Sequence, residues 1–304
     1  MQRIAYIAFA ALGIIWGSNF LFVKWASAFI SPAQIVFLRI FFGFLPLLGY
    51  AVYRKEIRLS HLCYWPHFLM MSLLAAVLYY YAFALGISLL LSSVAGMLSG
   101  SIPLFAFVMT LIFLRDEAVS AQKGVGVALG FLGVFIIARP WVGGINGVNL
   151  EGVLYMALGS LSIGGSFVYA RKFLSDLNIS AVALSTYQVA FALLVSAAVT
   201  DFEGITRIAE DTKTLVGVAA GLGMLGTGGA FILYYFIVSQ LGAVTASAAT
   251  YIPPVVALVI GYFVVHEPVA PLDLVAMGLI LCGVYFLQSE KQWFSWARLG
   301  KSHL

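Results

Sequence analysis

The stretches PLFAFVMTLIFLRDE at 103–117 and PPVVALVIGYFVVHE at 253–267 decide the fold of this chain. Each begins with proline, continues as an apolar run and ends on an acidic residue, and the second follows the first by 150 positions. Sequence outside these stretches repeats in the same way, with Gly133 corresponding to Gly283. We therefore interpret the chain as one apolar unit present twice, an organisation typical of membrane transporters.

The composition indicates a membrane protein. Of the 304 residues, 62% are hydrophobic and only 9% are charged, whereas a soluble domain carries about 25% charged residues. Apolar runs of about 20 residues, the length that spans a bilayer, recur along the chain. The net charge of +4 is small, and the sequence has no phosphate-binding loop, metal-ligand spacing or converging catalytic groups. We therefore expect no enzyme activity, no cofactor, no metal and no nucleic-acid partner.

Two long apolar runs must each fold back on themselves. A single helix over 66–114 would be about 74 Å long at 1.5 Å per residue, against a hydrocarbon core of about 30 Å. We predict a break near Gly86 in that run, and a second break near Gln240 in the run 214–265. The sequence then predicts ten spans, at 4–24, 32–53, 66–87, 91–114, 123–138, 150–170, 180–200, 214–238, 243–265 and 271–289.

Lysine and arginine predict the orientation of these spans. Eleven of the basic residues fall on the side of the bilayer that holds both chain ends and four fall on the other side, which predicts cytoplasmic termini. Five spans per half is an odd number, so the second half must cross in the opposite sense. We expect a first repeat at 1–138, an outer loop at 139–149, an inverted repeat at 150–289 and a cytoplasmic tail at 290–304.

Several of these residues resemble a known family. They are the run IWGSNF at 15–20, Arg39, Pro103 and the acidic residue that closes the fourth span of each half before a glycine-rich span. Together they are similar to the drug/metabolite transporter superfamily, in its ten-helix EamA branch, and within that branch to YddG-type exporters of aromatic amino acids. The resemblance implies a multi-pass carrier of the bacterial inner membrane that works by alternating access.

Polar and aromatic side chains near the middle of the spans are the candidates for a binding site. Each has an alternative interpretation, because small polar residues also serve helix packing and aromatic residues also form interfacial belts. The predicted substrate-binding residues are Trp16, Ser18, Asn19, Tyr79, Tyr80, Tyr81, Ser99, Ser101, Ser162, Ser166, Tyr187, Thr250 and Tyr251. The predicted hinge or gating residues, which could equally be static kinks, are Gly100, Pro103, Pro253 and Pro254.

Charged residues within or beside the spans are few. Arg39 lies inside the second span, where it either anchors a substrate carboxylate or has a structural role, snorkelling or bonding helix-end carbonyls. Glu117 and Glu267 close their spans, either as ion-coupling groups or as span-end charges that contact loops. The sequence places no acidic residue deep in a span, and we therefore predict a carrier that moves its substrate down a gradient rather than a tightly proton-coupled one.

These features predict an exporter of small zwitterionic metabolites, most of all amino acids with aromatic or apolar side chains. The protein is expected to act as a monomer or weak homodimer in the lipid bilayer. Three alternatives stay open at this point: an effluxer of drugs or organic cations, a channel, and a membrane assembly or sensor protein that transports nothing.

Overall fold

The computed structural model describes residues 2–114, 120–142 and 148–289. Within these ranges the ordered elements are helices, and no strand is found. Glu117 and the predicted tail at 290–304 lie outside the described residues.

Ten helices are long and apolar enough to cross a membrane in this part of the chain, which confirms the predicted number of spans. Both ambiguous runs divide as expected, because the third helix ends at Leu89 and the eighth ends at Leu241 before Gly242, whose φ is 83°. The helices are α1 (Arg3–Ala26), α2 (Pro32–Tyr53), α3 (Leu59–Leu89), α4 (Ser92–Phe113), α5 (Ala121–Ala138), α6 (Leu150–Phe173), α7 (Ala181–Val199), α8 (Thr212–Leu241), α9 (Thr245–Val264) and α10 (Pro271–Gln288).

The helices begin at residues that satisfy their first backbone N–H groups. Ser31 and Gln34 form a capping box at the start of α2, with Pro32 in the first turn, where its missing N–H costs little. Ser180 accepts a hydrogen bond from the N–H of Ala183 at the start of α7. These caps set the turns between successive spans.

Helices α5 and α10 meet in a reciprocal contact between the two halves. A Cβ on Gly283 would lie 2.5 Å from the carbonyl oxygen of Gly126, and a Cβ on Gly133 would lie 2.5 Å from that of Ala276. Gly126 corresponds to Ala276 in the repeat, and Gly133 to Gly283, so one contact is the image of the other. Such reciprocity is the mark of a two-fold relationship, here between two halves of one chain.

Corresponding helices are also irregular at corresponding places. Helix α4 is interrupted between Ser99 and Ile102, directly before Pro103, and α9 tightens to a 3₁₀ turn at Ala248–Tyr251, directly before Pro253. Helices α3 and α8 both contain a π-helical segment, at Leu73–Val77 and Gly217–Gly229 respectively. Because π segments are uncommon and often lie at functional sites, their presence in both repeats draws attention to the space between α3 and α8.

Candidate functional site

A cavity of about 830 Å³ lies at the centre of the bundle, between the two halves of the chain. Its volume falls in the range of about 300–1,000 Å³ that is usual for small-molecule sites. Every helix except α5 contributes to its wall, and most of the lining side chains are apolar or aromatic.

The exposure of the residues that line the cavity differs between the two faces of the bundle. We call the face with the start of α1, the end of α10 and the turn 174–180 the terminal face, and the face with the turns 27–31, 90–91 and 265–270 the opposite face. Lining residues at the terminal face, such as Ser175 and Gln288, are exposed. Lining residues near the opposite face, such as Ile87, are buried.

Many of the sequence-predicted residues meet in this cavity. Arg39 from α2 is the one charged side chain that lines it among the described residues. The other predicted residues in its wall are Trp16, Asn19, Tyr79, Tyr80, Ser99, Pro103, Ser166, Thr250 and Pro253.

The other described substrate-binding candidates do not line this cavity. Tyr81 is 42% exposed and points away from the bundle, because three successive residues on a helix sweep about 200°. Ser18 donates to the carbonyl of Ile15 on its own helix, and Ser101 is buried with its hydroxyl on the carbonyl of Leu98.

Two further candidates have structural partners instead. Ser162 of α6 donates to the carbonyl of Leu74 in the π segment of α3, 2.7 Å away, and so joins two helices. The Tyr187 hydroxyl donates to the Arg58 carbonyl at 2.8 Å and accepts from its N–H at 3.1 Å, which holds the turn after α2. Tyr251 of the binding set and the hinge residues Gly100 and Pro254 also lie outside the lining.

Three of the serine and threonine hydroxyls that line the cavity act toward it as acceptors. Ser99, Ser166 and Thr250 each donate their proton to the carbonyl three residues earlier on the same helix, at distances of 2.6, 2.7 and 2.7 Å. Their remaining lone pairs are left for a ligand that brings hydrogen-bond donors. An ammonium group, with three donors and no acceptor, is of that kind.

Arg39 is held by two contacts and by no carboxylate in the described chain. Its Nε donates to the hydroxyl of Thr227 at 3.0 Å, and its guanidinium carbon lies 3.7 Å above the centre of the Tyr80 ring. Neither of these contacts is with a helix-end carbonyl. The arrangement instead presents a cation to the cavity.

Asn19 supplies an unusual feature beside this cation. The residue is 7% exposed, and its Oδ1 atom is buried without a hydrogen-bond partner. Gly226 accommodates it, since a Cβ there would lie 2.3 Å from Oδ1. A buried polar atom without a partner is costly, and a bound water, ion or ligand is among the explanations for one.

Sequence reasoning missed the contribution of α8 to the site. Thr227, Tyr234 and Tyr235 all line the cavity, Tyr234 lies 6.3 Å from the Trp16 ring centre, and Tyr235 is hydrogen-bonded to Ser185. A signal existed, because α8 corresponds to α3 in the repeat, and both helices carry successive tyrosines, three in α3 and two in α8.

Glu267 lies away from the cavity lining and caps a helix. Its carboxylate accepts from the N–H and hydroxyl of Ser92 at 2.9 and 2.8 Å, and from the N–H of Ser93 at 2.8 Å. Burial alone would raise the pKa of Glu267, but the hydrogen bonds from Ser93 and Ser92 outweigh it and hold this pKa below its usual value. His266, with φ of 59°, turns the chain after α9 so that the carboxylate reaches this helix end.

The comparisons with known proteins agree with this architecture. The sequence matches the family described as EamA-like transporter twice, over residues 3–139 and 150–288. It is 25% identical to an uncharacterised transporter of Archaeoglobus fulgidus, over 94% of this chain and 99% of that protein. It is 27% identical to the uncharacterised transporter YoaV of Bacillus subtilis, over 90% of this chain and 92% of YoaV.

Two other similarities are informative. An S-adenosylmethionine uptake transporter of Rickettsia prowazekii is 25% identical, over 85% of this chain and 84% of that protein. A solved crystal structure is similar with a TM-score of 0.58 and 18% identity, over 93% of this chain and 96% of that chain. At this identity the likeness concerns the fold alone.

Proposed function

Because the chain belongs to the EamA-like transporter family, we propose that it carries small zwitterionic metabolites, in particular amino acids with aromatic or apolar side chains. In this proposal the central cavity holds the substrate, and the protein is an exporter in the bacterial inner membrane, with its termini in the cytoplasm. Alternating exposure of the cavity to the two faces completes the transport cycle.

A single observation carries the proposal: among the described residues one cation, Arg39, lies in the wall of a cavity that is otherwise built from aromatic rings, apolar side chains and neutral polar groups. A carboxylate is the natural partner of that cation. Hydroxyl lone pairs suit an ammonium group, and the rings of Trp16, Tyr79 and Tyr234 suit an apolar or aromatic side chain.

The composition of the wall disfavours the alternative of an organic-cation effluxer. No acidic residue lines the cavity in the described chain, and Arg39 would repel a cationic ligand. The lack of a carboxylate in the wall also supports transport down a gradient, since proton-driven carriers commonly use an intramembrane acidic residue.

The relative named as an S-adenosylmethionine uptake transporter supports the same chemistry. S-adenosylmethionine contains a zwitterionic α-amino acid group and an aromatic base, and we include it as a candidate substrate although its sulfonium group adds a positive charge that Arg39 disfavours. Net direction follows the gradient in a passive carrier, so uptake by a relative is compatible with export here.

Counterflow in proteoliposomes tests the proposal. Purified protein is loaded inside with each of the twenty amino acids or S-adenosylmethionine, and entry of the labelled form is measured. We expect saturable counterflow for aromatic and large apolar amino acids, absent from empty liposomes and unchanged by an imposed pH gradient. Flux that does not saturate would indicate a channel, and efflux of cationic dyes without amino-acid counterflow would favour the drug effluxer.

A further inference from the structure

The cavity wall carries two polar groups of opposite character on α1 and α2, two helices that both pack against the π segment of α8. We propose that Arg39 binds the carboxylate of the substrate and that the Asn19 carbonyl oxygen binds its ammonium group. This inference rests on the proposed function and specifies how the same cavity recognises a zwitterion.

The contacts of Arg39 leave the correct edge of its guanidinium for a carboxylate. Nε is the nitrogen that donates to Thr227, and the ring of Tyr80 covers one flat side. The end-on edge formed by the two terminal nitrogens is the edge that binds carboxylates with two parallel hydrogen bonds. No carboxylate lies within salt-bridge distance of Arg39 in the described part of the chain, so this edge has no acidic protein group to neutralise it.

Thr227 fixes the direction of that edge. Its hydroxyl donates to the carbonyl of Leu222, five residues earlier in the π segment, at 3.1 Å and accepts from Arg39 at 3.0 Å. With its proton committed to Leu222, the hydroxyl can act toward Arg39 only as an acceptor. The π-helical geometry of α8 therefore takes part in orienting the guanidinium.

Asn19, the proposed ammonium-binding residue, contacts the residue next to the one that holds Arg39. Asn19 Oδ1 sits against Gly226, the residue next to Thr227, and both Asn19 and Gly226 line the cavity. Oδ1 is an acceptor without a partner, buried in a residue that is 7% exposed. An ammonium group supplies the missing donor. Because Gly226 and Thr227 are adjacent, Asn19 and Arg39 can contact the ammonium and carboxylate groups at the same end of a bound amino acid.

Three related ligands test the Arg39 contact and the Asn19 contact independently. For an aromatic substrate these are phenylalanine, phenylalaninamide, which lacks the carboxylate, and 3-phenylpropionate, which lacks the ammonium group. If the counterflow screen favours another amino acid, its own amide and deaminated acid replace them. Binding is measured by calorimetry on wild-type protein in nanodiscs and on the variants Arg39→Met and Asn19→Leu.

The expected result is a loss of discrimination that is specific to each variant. Wild-type protein should bind phenylalanine about tenfold to a hundredfold more tightly than phenylalaninamide, and we call this the affinity ratio. A difference of that size is the usual contribution of hydrogen bonds to charged groups. In Arg39→Met this ratio should fall to one or below, while the preference over 3-phenylpropionate persists. In Asn19→Leu the preference over 3-phenylpropionate should be lost and the preference over the amide should remain.

Further variants protect the test against loss of folding. Arg39→Lys keeps the charge but not the two-pronged edge and should give an intermediate ratio, and Thr227→Val should lower the ratio severalfold by freeing Nε. Tyr81→Phe, outside the cavity, should match wild type. Each variant is checked by its thermal transition.

The outcomes distinguish the two claims. If wild-type protein binds the amino acid and Arg39→Met and Thr227→Val keep the wild-type ratio, the role of Arg39 is overturned while the proposed function stands. An Asn19→Leu ratio like that of wild type overturns the role of Asn19. Wild-type protein that binds none of the twenty amino acids overturns both this inference and the proposed function.

Discussion

Lys24 and Glu267 hold the two sides of a single turn. Lys24, at the end of α1, donates to the carbonyls of Ile87, Ser88 and Leu90 at 3.2, 3.1 and 2.7 Å, which closes the end of α3. Glu267, after α9, caps the start of α4 through Ser92 and Ser93. A cation at a helix C-terminus and an anion at a helix N-terminus both interact favourably with the helix dipoles, so each half of the chain supplies one cap.

Removing either cap should open the cavity toward the opposite face, because Ile87, which lies directly before this turn, is a buried residue of the cavity lining. Lys24→Met leaves three carbonyls without their donor, and Glu267→Gln weakens three charge-assisted hydrogen bonds, at a cost of about 2 kcal/mol for either change. We expect a cysteine introduced at Ile87 to react faster with an impermeant thiol reagent added at the opposite face.

That labelling requires a background in which the exposed Cys63 and Cys282 are replaced by serine. Gly261→Ala gives an independent check, since its Cβ would lie 2.7 Å from Glu267 Oε2 and displace the carboxylate. Unchanged labelling in all three variants would mean that the two caps do not close this face.

The Glu267 cap should also make stability depend on pH. The pKa of Glu267 is lower in the folded protein than its ordinary value, so the folded state binds fewer protons than the unfolded state. The stabilisation is therefore present at neutral pH and is lost as pH falls below the ordinary glutamate value of about 4.3. The thermal transition of wild type should fall more steeply over this acidic range than that of Glu267→Gln. Parallel curves for the two proteins would contradict this role of the carboxylate.

The sequence predicted the ten spans because its signals are local. Apolar length, Pro32 and Pro271 at helix starts, and Gly242 between α8 and α9 each act on their own segment. The two repeats were visible because the Pro-to-Glu spacing survives in both, and the family match over 3–139 and 150–288 reflects the same duplication.

The site was predicted less completely because facing direction depends on packing between distant helices. Tyr80 and Tyr81 are the same residue type at nearly the same depth, yet Tyr80 stacks on Arg39 and Tyr81 points outward. Span position alone gave Glu267 a possible charge role, and only the turn made by His266 brings it to the α4 cap. The π segment at Gly217–Gly229, which sets Thr227 against Arg39, has no simple sequence signature.

The seam between α5 and α10 should tolerate no side chain at its closest point. In Gly283→Ala the new Cβ would lie 2.5 Å from the Gly126 carbonyl oxygen, and the strain should lower the free energy of unfolding by about 1–3 kcal/mol. Gly278→Ala on the same helix meets nothing within 4 Å and should gain up to about 1 kcal/mol from helix propensity. Thermal transitions in detergent would give opposite signs, and equal shifts would argue against this contact.

Substitutions at three tyrosines should distinguish a role in substrate binding from a role in stability. Tyr80→Leu removes the ring beneath the Arg39 guanidinium, and should weaken amino-acid binding about tenfold, as expected for a desolvated cation–π contact. Tyr187→Phe loses the two hydrogen bonds to Arg58, and should lower the free energy of unfolding by about 1 kcal/mol without changing affinity. Tyr81→Leu, on the outer surface, should change neither quantity. Affinity is measured by calorimetry and stability by the thermal transition for each variant. Weaker binding by Tyr187→Phe at unchanged stability would indicate that Tyr187 takes part in substrate binding.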